Sequence, residues 1–380
     1  MRILTFLHSF EPGGVERVAL RLVARWRTMG LDAPLFMGRE CGALRDELAT
    51  EMDYFVPPQP RLGSGWWETL WMIARLPGHV RRVRPDLLFC AGNTYTIVAV
   101  AMKLLLGRRC PPIVAKLSND LVRADLPVPA RALWRGWLRI QARVVDRWIV
   151  MDTSILADVA THLGAVDTSV ISDPAIDRLP PPRPAPPARS GTRYVAVGRL
   201  VHQKDHATML AAFAEVGSSS DRLMIIGDGP LRAALMRQVT RLGIEDRVVF
   251  AGHVPNAAAA MREHDILLLS SRYEGVPAVL VEALAAGLRV VATDCGPGVR
   301  ALLGIEGAEH LPPAGNPSAF AAAIARGPRR TGDAEVNRRR MQAFTLETAA
   351  PRYLDAFTQT IESYGRRVPV MQAVQLERTV

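Results

Sequence analysis

The sequence predicts an α/β chain of two domains, each a parallel sheet with helices on both faces. Three observations predict it. Short apolar runs alternate with longer amphipathic stretches; a proline-rich stretch interrupts the alternation once; and the alternation then restarts. A length of 380 residues, 49% of them hydrophobic, is ample for two cores, and 22% charged residues exclude a disordered chain.

In chain order, Ile3–Leu7 reads as a first buried strand, followed by a turn at Gly13-Gly14 and an amphipathic helix from Val15 to about Met29. The short apolar opening, with acidic Glu11 close behind, excludes a secretory signal. Asp86–Cys90, Ile113–Leu117 and Trp148–Met151 are further strands. Thr96–Leu106, the longest apolar run, is broken by Lys103 and too short to span a bilayer. Leu179–Gly191 reads LPPPRPAPPARSG, which no helix or central strand tolerates, so it marks a linker. The predicted domains are therefore 1–178 and 192–347. In the second, strands at Tyr194–Val197, Leu223–Ile226, Val248–Phe250, Ile266–Ser270 and Arg289–Thr293 enclose helices at Ala207–Val216, Leu231–Leu242 and Ala278–Ala286. A last helix runs near Thr348–Ser363.

The formal net charge is +10, yet no basic run or nucleic-acid-binding motif is present, so nucleic acid is not an expected partner. Four cysteines, Cys41, Cys90, Cys110 and Cys295, without CxxC spacing exclude a zinc site and a disulfide framework and fit a reducing cytoplasm. Of 47 basic residues only Lys103, Lys116 and Lys204 are lysines.

The chemistry-bearing motifs gather in the second half. Gly198 and Arg199 end a strand and Lys204 follows before a helix. A parallel sheet binds ligands at its strands' carboxyl ends, where a basic pair and a helix N-terminus suit a diphosphate. Alone, the pair reads first as solvated loop charge. Gly227-Asp228-Gly229-Pro230 allows a tight turn and close ligand approach, but no third glycine completes a dinucleotide fingerprint. Ser271-Arg272-Tyr273-Glu274-Gly275-Val276-Pro277 leads into a helix carrying Glu282 within an apolar stretch. A glutamate there is costly unless paired or facing a ligand. Glu274 and Glu282 are either surface acids or two carboxylates that hold hydroxyls at the two ends of one ligand.

Four segments, VGRLVHQKDHATMLAAF, IIGDGPLRAAL, DRVVFAGHV and SRYEGVPAVLVEALAAGLRVVATDCGPG, closely resemble the retaining glycosyltransferases of family 4, in the family's order. SFEPGGVERVAL and VISDPAI are similar to its N-terminal glycine loop and interdomain strand. The resemblance implies a GT-B fold, two Rossmann-like domains facing across a deep cleft, with residues 348–380 crossing back to the first domain. It implies that Arg199 and Lys204 bind the donor diphosphate, Glu282 the ribose and Glu274 a sugar hydroxyl, with Glu274, Arg199 and Lys204 the catalytic set. Gly198, Gly227, Gly229, Gly275, Val276 and Pro277 would line the donor, and Gly13 and Gly14 would approach the phosphates. No metal and no cofactor are expected: the donor is a UDP- or GDP-linked sugar, and no DxD pair is present. Where the family often has a first-domain histidine, this chain offers Asn93 and Asn119 as acceptor-side stand-ins; Ala301 stands where the family usually has a glutamate. His8 and His253 read as structural or peripheral.

The implied activity is transfer of a hexose to a lipid-linked glycan acceptor in bacterial surface-polysaccharide assembly. An epimerase or hydrolase on the same fold, or a weakly catalytic nucleotide-sugar-binding scaffold, are the alternatives. Trp66, Trp67 and Trp71 with Arg81, Arg82 and Arg84, and Trp134 and Trp137 with Arg135 and Arg139, form two aromatic-basic patches. These fit a peripheral site on the anionic inner face of the plasma membrane, or core packing.

Overall fold

The computed structural model describes residues 1–11, 13–60, 67–118, 121, 127–183, 190–254, 256–304, 311–327 and 334–367. It divides into two compact units, Met1–Ser172 with the chain from Ala349 onward, and Asp173–Thr348.

The first unit contains β1 (Ile3–Leu7), α1 (Gly14–Thr28), β2 (Leu35–Met37), α2 (Leu44–Leu48), α3 (Glu68–Val83), β3 (Leu87–Cys90), α4 (Thr96–Leu106), β4 (Ile113–Leu117), α5 (Val128–Val144), β5 (Arg147–Val150), α6 (Leu156–His162) and β6 (Thr168–Val170). Its sheet is parallel, in the order β2-β1-β3-β4-β5-β6, with Thr5 opposite Leu35 and Ile3 opposite Leu87. β1, β3 and β4 are buried along their whole length, which parallel strands covered on both faces require. α1 buries Ala19, Leu22, Val23 and Trp26 at helical spacing. Trp26 anchors an aromatic cluster with Phe89, Tyr353 and Phe357, the last two from the C-terminal helix.

The second unit contains β7 (Arg193–Val197), α7 (His206–Val216), β8 (Arg222–Ile226), α8 (Arg232–Leu242), β9 (Val248–Gly252), α9 (Ala257–Met261), β10 (Ile266–Leu269), α10 (Ala278–Ala285), β11 (Arg289–Ala292), α11 (Pro297–Leu303), α12 (Pro317–Arg326) and α13 (Ala334–Met341). Its parallel sheet runs β11-β10-β7-β8-β9. Strand alternation divides its core: Val195, Leu267, Leu269 and Val290 pack on one face, Tyr194, Ala196, Leu268 and Val291 on the other. α14 (Leu346–Arg367) begins in this unit and ends in the first.

The division falls at Ser172, ahead of the proline-rich stretch. Residues beside that stretch are tied into the second unit: Ile176 bridges Thr345, Arg262 donates to the Pro181 carbonyl (3.1 Å), and Arg183 pairs with Asp265 (3.6 Å).

In the first aromatic-basic patch the core-packing alternative holds for Trp71, which is buried; half-buried Trp67 meets it edge-to-face at 5.4 Å, and the Arg75 guanidinium lies over the Trp71 ring. Trp66 lies outside the described residues. No described helix is long and apolar enough to cross a membrane.

Candidate functional site

Each sheet has one point where its strand order reverses, and there the loops leaving two adjacent strands diverge and open a crevice. In the second unit that point lies between β7 and β10, and in the first between β1 and β3.

At the second unit's switch point, β7 delivers Gly198, Arg199 and, after a turn, Lys204; β10 delivers Ser271 and Glu274. Main-chain hydrogen bonds bind these loops to one another. The Gly198 N–H donates to the Ile226 carbonyl (2.9 Å), that of Leu200 to Asp228 (2.9 Å), that of Arg272 to Gln203 (2.8 Å) and that of Glu274 to Cys295 (2.7 Å). Such contact needs glycine. Gly227 has φ +136°, and a Cβ there would fall 2.1 Å from the Gly198 carbonyl oxygen; at Gly298 it would fall 2.1 Å from that of Gly275.

Lys204 Nζ donates to Glu274 Oε1, which also accepts from Ser271 Oγ (2.7 Å). The Lys204 and Glu274 side chains are only 20% and 9% exposed, so the pair stands at the rim of the core and not in bulk water. Arg199 is exposed beside it. Asp205, in the left-handed region at φ +45°, caps α7 by accepting from the Thr208 backbone N–H and hydroxyl, and pairs with Arg272 (3.0 Å). Non-glycine residues held there are strained, and such strain collects at functional sites. Ser270 Oγ donates to the carbonyls of Lys204 and Asp205. Burial lowers His206 to about 4, with Lys204 adding to the effect, so the ring is neutral. Burial pushes the Cys295 thiol up to about 11, which removes it as a nucleophile.

Sequence reasoning placed Gly198, Arg199, Lys204, Gly227, Gly229, Glu274, Gly275, Val276 and Pro277 near this edge, and the structure puts them on the loops leaving β7, β8 and β10. Pro277 caps α10, and Glu282 is half-buried on that helix's second turn. Sequence reasoning gave no role to Ser271 and Arg272, which it only quoted within a motif, and missed Asp205. The Asp205-x-x-Thr208 capping spacing was a readable signal for one of them.

The first unit's switch point is built differently. Tyr95, fully buried, donates its hydroxyl to Glu16 Oε1 (2.6 Å) and accepts from the His8 N–H (3.4 Å). Glu16 lies in the first turn of α1, two residues after Gly14, so this contact ties the start of that helix to the loop after β3. The His8 ring lies 4.6 Å from that of Tyr95, tilted by 37°, and shares a hydrogen bond with Thr69 (3.2 Å). Burial lowers the His8 pKa, against the opposing pull of Glu68 and Glu16. Asn93 Oδ1 accepts from the Ser118 N–H (2.8 Å), tying the loop after β3 to the one after β4. Asn119 lies outside the described residues, and His253 is exposed, remote in sequence from the second unit's switch-point loops. Tyr95, Glu16 and Thr69 carried no motif in the sequence. No group of three or more metal-ligating side chains occurs among the described residues.

Residues 12–175 match the family model described as Glycosyltransferase Family 4, and residues 191–327 the model described as Glycosyl transferases group 1. A stretch of 111 residues is 32% identical to the amylovoran biosynthesis glycosyltransferase of Erwinia amylovora, covering 29% of this chain and 32% of that protein. A stretch of 110 residues is 34% identical to the N-acetylgalactosamine-N,N'-diacetylbacillosaminyl-diphospho-undecaprenol 4-alpha-N-acetylgalactosaminyltransferase of Campylobacter jejuni, covering 29% of this chain and 30% of that one. The chain thus matches about a third of the length of these curated relatives. In structure it is similar to HepE of Anabaena, solved in complex with UDP-glucose: the TM-score is 0.69 at 19% identity, covering 97% of this chain and all of that one. That likeness is one of fold, two parallel α/β sheets of the GT-B type.

Proposed function

We propose, since the chain belongs to the glycosyltransferases of family 4, that it moves a hexose from a UDP- or GDP-linked donor to a lipid-linked glycan acceptor in surface-polysaccharide assembly. One observation carries the reading: Lys204 and Glu274 stand paired, with Ser271, at the switch point of the second sheet. A ligand that inserts between them must offer an anionic oxygen to the ammonium and a hydroxyl to the carboxylate side by side. A sugar diphosphate has that order of groups. The acceptor class is suggested by the Campylobacter relative, whose name includes diphospho-undecaprenol.

In this reading Lys204 and exposed Arg199 stabilise charge gathering on the departing diphosphate, in a setting where fixed charges act more strongly than in water. Glu274 holds a donor hydroxyl, Glu282 the ribose, and the backbone of Gly275, Val276 and Pro277 lines the sugar. Gly13 and Gly14 approach the phosphates, and Asn93 and Asn119 serve the acceptor side. The transfer retains configuration without a covalent nucleophile: the donor's phosphate oxygen takes the acceptor proton on the face the leaving group departs from, and the protein supplies position and charge. A metal is not required, and the chain works at the cytoplasmic face of the membrane.

Turnover of a nucleotide-sugar panel tests this, run with and without EDTA. Replacing Lys204 with Ala should lower kcat by roughly 10²–10³ with little change in melting temperature. An unimpaired variant, or activity abolished by EDTA and restored by a divalent ion, rejects the clamp as described.

A further inference from the structure

We infer that a single water molecule, held in a small cavity beside the Lys204–Glu274 pair, links His206 to the Lys204 ammonium, and that His206 is thereby a positioning residue for the diphosphate clamp. The inference rests on the proposed role of Lys204 and deepens it, by naming a second hold on the ammonium besides Glu274.

His206 is the first residue of α7, directly after its cap Asp205, and is only 5% exposed. Its Nδ1 is buried and has no hydrogen-bond partner among the described residues. A polar atom that deep is costly unless water reaches it. The ring borders a cavity of about 10 Å³ between β7, β10 and the start of α7, a space that admits one water and no larger ligand. Strand residues such as Val197 and Leu269 give the cavity apolar walls, and Lys204, Ser270 and Ser271 join His206 as its polar lining.

The hydrogens around this cavity decide what can reach Nδ1. Ser270 donates its hydroxyl to the carbonyls of Lys204 and Asp205, and Ser271 donates its own to Glu274 Oε1. Lys204 gives one of its three ammonium hydrogens to that same oxygen and has two more. Lys204 is thus the polar lining residue with hydrogens to spare, but it does not bond Nδ1 directly, so the link needs an intermediary. A water there accepts from Lys204 Nζ and donates to Nδ1 and to a lone pair of Ser271 Oγ, which makes three bonds, the usual number for a buried water. The arrangement requires a neutral ring with its hydrogen on Nε2. Burial and the Lys204 ammonium both oppose a second proton, while Asp205 favours one. The positive end of α7 opposes it as well. A ring protonated at Nδ1 would set two cationic donors on one water and push the ammonium from its place. A ring that only filled space would be replaced as well by an apolar side chain, and the test turns on that difference.

In the parent protein, nitrogen NMR of the His206 ring at neutral pH should show the Nε2–H tautomer. A crystal structure fine enough to show waters should place one within hydrogen-bond distance of both Nδ1 and Lys204 Nζ. UDP or GDP, whichever the parent binds more tightly, is then titrated by calorimetry. His206→Asn, whose amide keeps a polar atom near the place of Nδ1, should bind the nucleotide within about twofold of the parent. His206→Leu, which keeps bulk without a hydrogen bond, should bind it about fivefold more weakly. On a Lys204→Ala background the same leucine substitution should change little, because the ammonium it positions is gone. The inference is overturned by an Nδ1–H ring, by a cavity without water, by a leucine variant that binds like the parent, or by a leucine effect as large without Lys204 as with it. Should His206→Leu fail to fold, the parent's tautomer and water decide alone. A parent that binds neither nucleotide would instead sink the proposed clamp, and the link between ring, water and ammonium would still be read from the parent's spectrum and crystal.

Discussion

The two switch points bring chemical groups to the same place in their sheets by different means. In the second unit, loop is bound to loop through the main chain: Gly198 to Ile226, Arg272 to Gln203, Glu274 to Cys295. Glycines permit that contact, and Lys204 and Glu274 inherit their positions from a rigid backbone. In the first unit main-chain bonds join the loops leaving β1 and β2, Gly38 to Leu7, Arg39 to His8 and Phe10 to Cys41, but the ties to the other loops at its switch point are side chains reaching across long stretches of chain: Tyr95 to Glu16, Thr69 to His8, Asn93 to Ser118. A main-chain lattice tolerates change in most side chains and almost none in its glycines. A side-chain lattice should lose stability piecemeal, one contact at a time.

That contrast can be broken most sharply at Gly227. A methyl group there meets the Gly198 carbonyl at 2.1 Å on backbone of positive φ, and the neighbour is main chain that cannot rotate away. Gly227→Ala should destabilise by about 3 kcal/mol or more and abolish donor binding. Thermal melts and donor titration read it, and a variant that melts and binds like the parent removes the lattice argument.

A smaller effect is expected from pH, through His206 behind Lys204. Its folded pKa of about 4 lies below the ordinary 6.5, so the neutral ring stabilises the fold fully above pH 6.5. That contribution is lost as pH falls from 6.5 towards 4, by up to about 1.4 kcal/mol per pH unit. His79 in the first unit is shifted the same way, also to about 4, by burial and Arg82. Urea titrations between pH 7 and 5 should therefore show falling stability, and His206→Gln should flatten the curve. A profile as steep in the variant as in the parent would locate the sensitivity elsewhere.

The smallest effect belongs to Tyr95→Phe. It removes one hydroxyl from the half-buried Glu16 and should cost about 1 kcal/mol. Donor affinity measured on the second unit's residues should stay put, and the acceptor KM should move more than kcat. Loss on the scale of Gly227→Ala would mean that the first unit's loops are as rigidly coupled as the second's.

The same contrast explains what the sequence could and could not disclose. β4 was readable to the residue as Ile113–Leu117, because its five buried residues, Lys116 apart, are apolar. β2 and β6, of three residues each, are too short to show a period, and Thr168–Val170 is only half-buried. Lys204 and Glu274 were legible because their loops are local strings of glycine and charge. Tyr95 and Glu16 were not, because a contact spanning 79 residues leaves no trace in either neighbourhood. The tryptophans stayed ambiguous for a related reason: spacing locates a helical face but does not say whether that face looks inward, as at Trp71, or outward, as at Leu133.

The aromatic cluster of Trp26, Phe89, Tyr353 and Phe357 has a consequence for the order of events at the ribosome. Half of it is synthesised within the first 89 residues and the rest only after residue 353, with the whole of the second unit in between. The nascent first unit therefore waits with an open seam against Trp26 and Phe89 while the second unit, continuous from Asp173 to Thr348, completes its own core. The usual N-terminal-first order of vectorial folding is inverted, and the last helix to emerge closes the domain that was begun first.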